Sequence, residues 1–270
     1  MPDLVTTRTG ETLVWIAGRL YDAQEFLGGE PPCAHRRGQD PVPNVASAIA
    51  PERLAALAEA LARLHLSTSG LQPGYSSPLL PERLRSLEAM AEERRKPLMQ
   101  AAQTRGTGED RDIALRWLAL VPDALDAALG VAGRLPLGEM SEVLCHADLW
   151  RAHVRFEDGY FTGFADFESL VLASPALDLA QLVAHFGGRG NTEAVIQSYG
   201  TVAPLTGADE AALVPEMVAD LAAEGLWALE ELSAGSSGLR PAQEASHRLN
   251  LRLLLGPLEQ AAATCVRSAR

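Results

Sequence analysis

The sequence predicts an α+β chain dominated by helix, and three observations support this fold class. Two runs rich in β-forming residues, 12–17 and 20–27, are separated by a glycine and an arginine, which is typical of a β-hairpin. From Pro51 onward, leucine and alanine recur with the period of a helix. Between helical segments, residues 142–165 change to short apolar runs around a turn, which indicates a small β-element.

The first helices follow a connector. A segment rich in glycine and proline, 29–50, is predicted to lack regular structure. Pro51 suits the first position of the next helix, where its fixed backbone angle is already helical. A second helix is predicted over 81–96 and is expected to end there, because Pro97 removes a backbone hydrogen bond.

The remaining elements alternate between helix and strand. A third helix is predicted from residue 110 toward residue 121, with Pro122 starting a short successor. A strand is predicted over 142–145, and an Asp-Gly pair between 153–157 and 160–165 is typical of a tight hairpin turn. Further helices are predicted over 174–186, 191–199, 209–232 and 241–265.

Charge and cysteine content restrict the partners. A formal net charge of −12 argues against nucleic acid, which needs a basic surface, and against an anionic membrane. The sequence has neither an apolar run of spanning length nor the pattern of a signal peptide. Its three cysteines, Cys33, Cys145 and Cys265, are far apart, which suits a reducing compartment. We therefore expect a cytoplasmic protein, and homo-oligomerisation stays open.

The segment 143–169 gathers chemically active side chains around the predicted hairpin. His146 and Asp148 follow a strand, and Asp166 ends the second hairpin arm, which returns toward His153. Two carboxylates that meet repel each other unless a cation lies between them, and Mg²⁺ is commonly shared between carboxylates and phosphates. The same four side chains are also compatible with a metallohydrolase that binds Zn²⁺ or a metal pair.

Three linked motifs in this region resemble the aminoglycoside phosphotransferase and choline kinase family of protein-kinase-like enzymes. The family's catalytic loop reads H-G-D-L-x-x-x-N and is followed by a strand pair, I-D-[FW] and D-P-x-x-D-L-A. This sequence has HADLWRAH, FADFES and SPALDLA in the same order at matching spacings. More loosely, GRLYDAQEFLGGE resembles the last strand and hinge of the family's small lobe, and LAEALARLHL resembles the helix that follows.

The resemblance implies a protein-kinase-like α+β fold with a truncated small N-terminal β lobe and a large, mostly helical C-terminal lobe. The implied domains are a partial N-terminal lobe over 1–28, a connector over 29–50 and a C-terminal lobe over 51–270, with a catalytic loop at 146–153 and a metal-binding hairpin end at 166–168. The implied reaction moves the γ-phosphoryl group of ATP, or less favourably GTP, to a hydroxyl of an aminoglycoside or another amino alcohol or sugar.

The resemblance also implies residue roles. Asp148 would orient the acceptor hydroxyl and take its proton, and Asp166 would hold the Mg²⁺ that bridges the nucleotide phosphates. His146 would tie the loop to neighbouring backbone, and Asp178 would be a buried carboxylate that braces it. Trp150 could line the acceptor pocket, although packing between loops explains it equally well. The backbone of the hinge would contact adenine through Glu25, Phe26 and Leu27.

The match departs from the family at one site residue. The family's asparagine, five residues after the catalytic aspartate, is His153 here. An imidazole nitrogen suits Mn²⁺, Zn²⁺ or iron better than Mg²⁺. We therefore expect His153 either to ligate the metal or to contact phosphate when protonated, with ligation favoured and Mn²⁺ as a second candidate ion.

A larger departure concerns the nucleotide clamp. The family's small lobe begins with a glycine-rich turn and a strand lysine, whereas only 11 residues precede the run 12–17 and the sole lysine, Lys96, lies in a predicted helix. Three explanations stay open: a late or truncated start, loss of the clamp, or completion of the lobe by another chain at the strand edge. The alternative function is a catalytically impaired, pseudokinase-type binding protein.

Acidic residues on the predicted helix 209–232 would suit a cationic acceptor, but an exposed helix carries such residues anyway, and the second interpretation is favoured. These residues are Glu216, Asp220, Glu224 and Glu230. His65 and His185 also lie on predicted helices, where we expect packing roles and not metal ligation.

Overall fold

The computed structural model describes residues 13–16, 19–22, 49–71, 76–106, 108–158, 160–187, 189–234 and 241–268. Within these ranges the helices are α1 (Pro51–Ser67), α2 (Leu80–Arg105), α3 (Gly108–Ala132), α4 (Ala176–Leu182), α5 (Thr192–Gly200), α6 (Gly207–Ala234) and α7 (Pro241–Ser268). The strands are β1 (Leu13–Ile16), β2 (Arg19–Asp22), β3 (Val143–Cys145), β4 (Val154–Glu157), β5 (Tyr160–Phe164) and β6 (Val171–Ala173). Helix dominates, as the sequence predicts.

Four long helices, α2, α3, α6 and α7, pack against one another and form the larger part of the core. Trp117 of α3 is completely buried, and its indole N–H donates to the carbonyl of Leu251 on α7 at 2.7 Å. A Cβ atom on Gly225 of α6 would lie 2.5 Å from the Trp117 ring, so only glycine permits this close approach. Any larger residue at Gly225 would push α6 away from α3.

Helix α2 continues through Pro97 to Arg105, so the predicted end at residue 96 is wrong. Helix α3 likewise runs through Pro122 as one element, without a separate successor. A proline inside a helix costs about 3 kcal/mol or more. Buried side chains on both sides of each proline, such as Ala91 and Leu98 in α2, anchor the two halves to the core and offset that cost.

The strands form three antiparallel pairs within the described residues. Strands β1 and β2 pair as the predicted hairpin, although β2 ends at Asp22 and the hinge residues 25–27 lie outside the described residues. The domain boundaries at residues 28 and 50 stay predictions. Strands β4 and β5 form the second predicted hairpin.

The pairing of β3 with β6 is the contact that positions the site. Cys145, the last residue of β3, pairs with Val171, the first residue of β6. The loop that follows β3 and the loop that precedes β6 therefore start side by side. Sequence reasoning did not predict β6, because a strand of three residues carries almost no pattern.

The long helices are not membrane spans. Among the described residues, no helix combines the length and apolar character needed to cross a bilayer.

Candidate active site

The loop after β3 has a backbone conformation that few residues adopt. Ala147 has φ = 62° and Asp166, in the loop before β6, has φ = 67°. Side-chain-bearing residues in the left-handed region cost of order 1–3 kcal/mol and persist where surrounding contacts hold them. The family that the sequence resembles has glycine at the position of Ala147, and glycine adopts this angle readily.

Asp178 supplies the contacts that hold Ala147 in place. Its carboxylate is fully buried and accepts the backbone N–H of His146 at 2.7 Å and that of Ala147 at 2.8 Å. His65 Nε2 lies 3.1 Å from the same carboxylate, and His65 Nδ1 lies 2.9 Å from the Tyr199 hydroxyl. Both loop amides are thereby satisfied away from water, as buried backbone donors require.

The hydrogen bonds from Tyr199 through His65 to Asp178 run in one donor-to-acceptor direction. Burial, together with the nearby Cys145 and Asp178, raises the pKa of Tyr199 far above its usual range, so its hydroxyl keeps its proton. The hydroxyl can donate to His65 Nδ1, which leaves Nε2–H to donate to Asp178. The chain of hydrogen bonds from α5 through α1 to α4 thus ends on the backbone of His146 and Ala147 in the loop after β3.

His65, Cys145 and Asp178 form a buried cluster whose ligand atoms lie within 4.8 Å of one another. Burial and the Asp178 carboxylate raise the pKa of the Cys145 thiol well above its usual range. The thiol therefore stays protonated and donates to the Ser174 carbonyl at 3.4 Å. Because metal binding requires a thiolate and the histidine is already bonded at both nitrogens, these residues form structural contacts and not a metal site.

Both ring nitrogens of His146 are used by backbone groups. Its Nε2 lies 2.9 Å from the carbonyl of Ala165, and its Nδ1 lies 3.3 Å from the backbone nitrogen of Asp148. The side chain is completely buried, and its ring packs at 4.8 Å from that of Phe167. His146 therefore connects the two loops and has no nitrogen left for a metal, which removes one ligand from the metallohydrolase alternative.

Asp148, His153 and Asp166 meet at one point. His153 Nδ1 lies 3.3 Å from a carboxylate oxygen of Asp148, and His153 Nε2 lies 3.3 Å from a carboxylate oxygen of Asp166. The histidine side chain is 13% exposed, whereas the aspartates are 38% and 46% exposed. The imidazole thus separates two carboxylates that remain accessible to a ligand.

The pKa of Asp148 is raised above the usual carboxyl value. Burial is the main cause, with further contributions from the carboxylates of Asp166 and Asp220, and the rings of His153 and His146 oppose it. A carboxylate with a raised pKa is a stronger base than an ordinary aspartate.

The contacts of His153 fit a divalent cation at its Nε2. Its Nδ1 lies 2.8 Å from the backbone carbonyl of Asp148, which can accept a hydrogen bond from Nδ1–H, and this contact turns Nε2 toward Asp166. The 3.3 Å between Nε2 and the Asp166 oxygen is close to the separation of about 3 Å between adjacent ligands of an octahedral ion. Trp150 packs edge-on against the ring at 5.7 Å and restricts its orientation.

A second polar network joins the loop to α6. Gln181 accepts the backbone N–H of Leu149 at 2.8 Å and donates to Asp220 at 2.9 Å. Asp220 also pairs with His185 at 3.0 Å. Burial opposes charge on both partners, but their mutual attraction outweighs it, so the pKa of His185 is raised and the pKa of Asp220 is lowered.

Sequence reasoning assigned His65 and His185 to packing and did not single out Gln181 or Tyr199. The one available signal was the position of His65 on the leucine-rich face of α1, which predicts burial. Trp150 packs on His153, and its indole nitrogen has no partner among the described residues. Lys96 lies exposed on α2, in a helix and not on a strand.

Comparison with known proteins identifies a family and several solved structures to which the chain is similar. The model of the Phosphotransferase enzyme family matches residues 3–214. No curated protein was found to match the chain. Solved structures with the same fold include an aminoglycoside phosphotransferase from Alicyclobacillus acidocaldarius, with a TM-score of 0.65 and 17% identity over 99% of this chain and 77% of that chain. A choline/ethanolamine kinase family protein from Mesorhizobium loti has a TM-score of 0.56 and 15% identity over 99% of this chain and 77% of that chain. A spectinomycin phosphotransferase in complex with ADP and spectinomycin has a TM-score of 0.56 and 14% identity over 98% of this chain and 77% of that chain.

The solved structures confirm the predicted protein-kinase-like α+β fold. At these identities the structural likeness concerns the fold alone. The family match is a stronger statement, because it extends over well more than half of the chain and includes the loop of Asp148, the hairpin end of Asp166 and the helix of Asp178. The chain therefore belongs to the phosphotransferase enzyme family.

Proposed function

We propose that the chain transfers the γ-phosphoryl group of ATP to a hydroxyl of a small molecule, with Asp148 as the base. The observation that carries this proposal is the placement of the His153 ring between the carboxylates of Asp148 and Asp166, 3.3 Å from each. Phosphoryl transfer asks the protein mainly for positioning and for neutralisation of charge. The ADP in the related spectinomycin phosphotransferase supports an adenine nucleotide as donor.

In this proposal Asp148 accepts a hydrogen bond from the acceptor hydroxyl and takes its proton as the oxygen attacks. The main-chain contacts of Asp178 and Gln181 to residues 146–149 keep the carboxylate oriented. Asp166 and His153 are the residues that would hold a divalent cation. When bound there, such an ion neutralises charge on the nucleotide phosphates.

The replacement His153→Asn is expected to change the metal preference. Asparagine offers an oxygen in place of the imidazole nitrogen, and oxygen suits Mg²⁺ whereas nitrogen suits Mn²⁺. We expect the ratio of kcat/KM with Mg²⁺ to that with Mn²⁺ to rise about tenfold, the size typical of a change at a metal site. Electron paramagnetic resonance should show weaker Mn²⁺ binding in the variant. An unchanged ratio together with unchanged Mn²⁺ affinity would show that His153 is not a ligand.

We also propose that the acceptor carries an amine. Three of the four acidic candidates on α6 are already neutralised by ion pairs, namely Glu216 with Arg83 at 2.7 Å, Asp220 with His185 at 3.0 Å and Glu230 with Arg94 at 2.5 Å. Glu224 has neither an ion pair nor a hydrogen bond with the described residues. The electrostatic interaction between Glu224 and Asp148 supports a position of Glu224 close to the proposed base.

The protonation of Glu224 connects this proposal to pH. Burial raises the pKa of Glu224 to about 7, the carboxylates of Asp220 and Asp148 add to the rise, and His185 opposes it. An ammonium group favours the ionised carboxylate, so an amine-bearing acceptor would pull the pKa of Glu224 down on binding. The affinity of the protein for such an acceptor should therefore fall as the pH drops below about 7, where Glu224 takes up a proton.

A panel of hydroxylated acceptors, with and without an amine, tests the function and the acceptor class together. With ATP and Mg²⁺, we expect ADP release and a phosphorylated product by mass spectrometry only for amine-bearing members. Glu224→Gln should raise their KM roughly 10–100-fold, because a charge-assisted hydrogen bond contributes about 1.5–3 kcal/mol. The KM for ATP should not change.

Glu210→Gln is the matched control, since Glu210 is an exposed glutamate on the same helix. If neutral acceptors are turned over as well as amines, the acceptor class is wrong and the phosphotransferase proposal survives. If no acceptor in the panel is phosphorylated, and ATP with Mg²⁺ does not raise the melting temperature, the catalytic proposal fails in favour of the pseudokinase-type alternative.

A further inference from the structure

A cavity of about 540 Å³ lies between the C-terminal ends of α2 and α6 and the N-terminal parts of α3 and α7. Its floor is apolar and includes Leu98, Ala114, Leu229 and Leu251, one from each helix, all of which are at most 8% exposed. Pockets that bind small molecules commonly measure roughly 300–1,000 Å³ and are mostly apolar with a few polar groups. This cavity has the size and the floor of such a pocket.

The cavity is separate from the catalytic site. Its lining comes from the four long helices and from Gly106, which follows α2, whereas the catalytic loop belongs to the segment between β3 and β4. Leu229, which lines the cavity, follows Asp220 by nine residues, which places the two on opposite sides of α6. Asp220 is hydrogen-bonded to Gln181 below the catalytic loop.

The rim of the cavity carries three arginines and two carboxylates. Arg248 pairs with both carboxylates, Asp110 and Glu244, and Arg252, which lies outside the rim, pairs with Asp110 at 2.5 Å, so these two arginines balance the charge of the two carboxylates. Arg105 donates to the backbone carbonyl of Ser233 and forms no ion pair with the described residues. The lining therefore has one guanidinium more than it has carboxylates, in a chain whose formal net charge is −12.

Arg111 adds a second guanidinium to this side of the rim. Its carboxylate contact is Asp112, its neighbour in sequence, at 3.3 Å, and both side chains are largely exposed. An exposed ion pair of this kind contributes little to stability, so Arg111 can readily exchange the Asp112 carboxylate for another anion. Arg105 and Arg111 flank the turn between α2 and α3, so both can face a single anionic group.

We propose that this cavity binds an amphipathic carboxylate, with its hydrocarbon chain on the apolar floor and its carboxylate at Arg105 and Arg111. The planar guanidinium group matches a carboxylate geometrically and can form two parallel hydrogen bonds with it. The apolar floor of leucine and alanine offers no group that would bond a polar ligand body. This site does not depend on the proposed phosphotransferase reaction.

Sodium decanoate is the probe, added to the full chain without nucleotide and followed by isothermal titration calorimetry. We expect saturable binding with about one molecule per chain and negligible binding of decyltrimethylammonium, which has the same chain length and the opposite charge. The double variant Arg105→Gln/Arg111→Gln should lower the affinity about tenfold or more, because it removes both charge-assisted contacts. Ala102→Phe, which places a ring in the cavity, should abolish binding.

Arg85→Gln is the matched control: Arg85 is an exposed arginine of α2 and lies about 30 Å along the helix from Arg105. The affinity of Arg85→Gln for decanoate should stay within about twofold of that of the unsubstituted protein, a difference of less than about 0.5 kcal/mol. The two cavity arginines lie at the surface, so the double variant is expected to fold. It therefore tests the proposed carboxylate site even if Ala102→Phe fails to fold. Absent binding, an unchanged affinity in the double variant, or equal binding of the cationic probe would overturn the proposal.

Discussion

The replacement Asp148→Asn is expected to abolish phosphoryl transfer while the protein stays folded. An amide cannot take the proton of the acceptor hydroxyl, and a positioned general base contributes about 10²–10⁴-fold to the rate. We expect kcat to fall by about 10³-fold or more, with little change in the KM for ATP. The measurement is steady-state ADP release together with phosphorylated product, at saturating nucleotide and acceptor.

Stability should survive this replacement for a structural reason. The Asp148 side chain is 38% exposed, and the contact that fixes His153 Nδ1 uses the backbone carbonyl of Asp148, which the variant keeps. Burial already disfavours the charged form of Asp148, as its raised pKa shows. The midpoint of thermal unfolding should therefore stay the same or rise slightly.

Asp158→Asn is a suitable control for Asp148→Asn. Asp158 is an exposed aspartate at the β4–β5 turn with φ = 49°, and asparagine tolerates this left-handed conformation. This variant should keep full activity. If instead Asp148→Asn keeps substantial turnover while the control behaves as expected, then Asp148 is not the base, and a different group near the acceptor takes the proton.

The sequence could predict that the candidate site residues lie close together in space, because they are close together along the chain. Asp148, His153 and Asp166 span 19 residues, and the intervening hairpin brings its two ends together whatever the rest of the fold does. Hairpin geometry is local, so a motif and a turn were sufficient to predict that the two carboxylates meet. The two carboxylates lie on either side of one imidazole, that of His153.

The supports of the loop could not be predicted in the same way. Asp178 contacts His65, 113 residues away in sequence, and His65 contacts Tyr199, 134 residues away. These contacts depend on how α1, α4 and α5 pack, and single-sequence patterns indicate only which face of each helix is buried. The error at Pro97 has a related cause, since tertiary packing outweighed a local helix-breaking tendency.

The replacement Asp178→Ala is expected to have the largest effect on stability. The carboxylate is fully buried and accepts two backbone N–H groups of the catalytic loop and the ring of His65. Its removal leaves the two amides and the Nε2 of His65 without a partner, and the loss of one partner from a buried charged network commonly costs about 3–5 kcal/mol. We expect a loss of this size in the free energy of unfolding, measured by urea denaturation.

Catalysis should fall in Asp178→Ala even where the protein is fully folded. The left-handed conformation of Ala147 costs of order 1–3 kcal/mol, and the two amide contacts to Asp178 are what offset it. Without them the backbone can relax, which would move Asp148 by an ångström or more and cost about 10²-fold in kcat. The assay belongs at a temperature well below the variant's own unfolding midpoint.

Tyr199→Phe separates a general loss of packing from the specific bracing of the loop. It removes only the hydroxyl at the far end of the chain, 2.9 Å from His65, and leaves both loop amides bonded to Asp178. A single net hydrogen bond contributes about 1 kcal/mol, so this variant should lose about that much stability and keep its kcat. Suppose that Asp178→Ala is destabilised but keeps its kcat at temperatures below its unfolding midpoint. The loop then holds its geometry without Asp178, and stability and catalysis depend on different contacts.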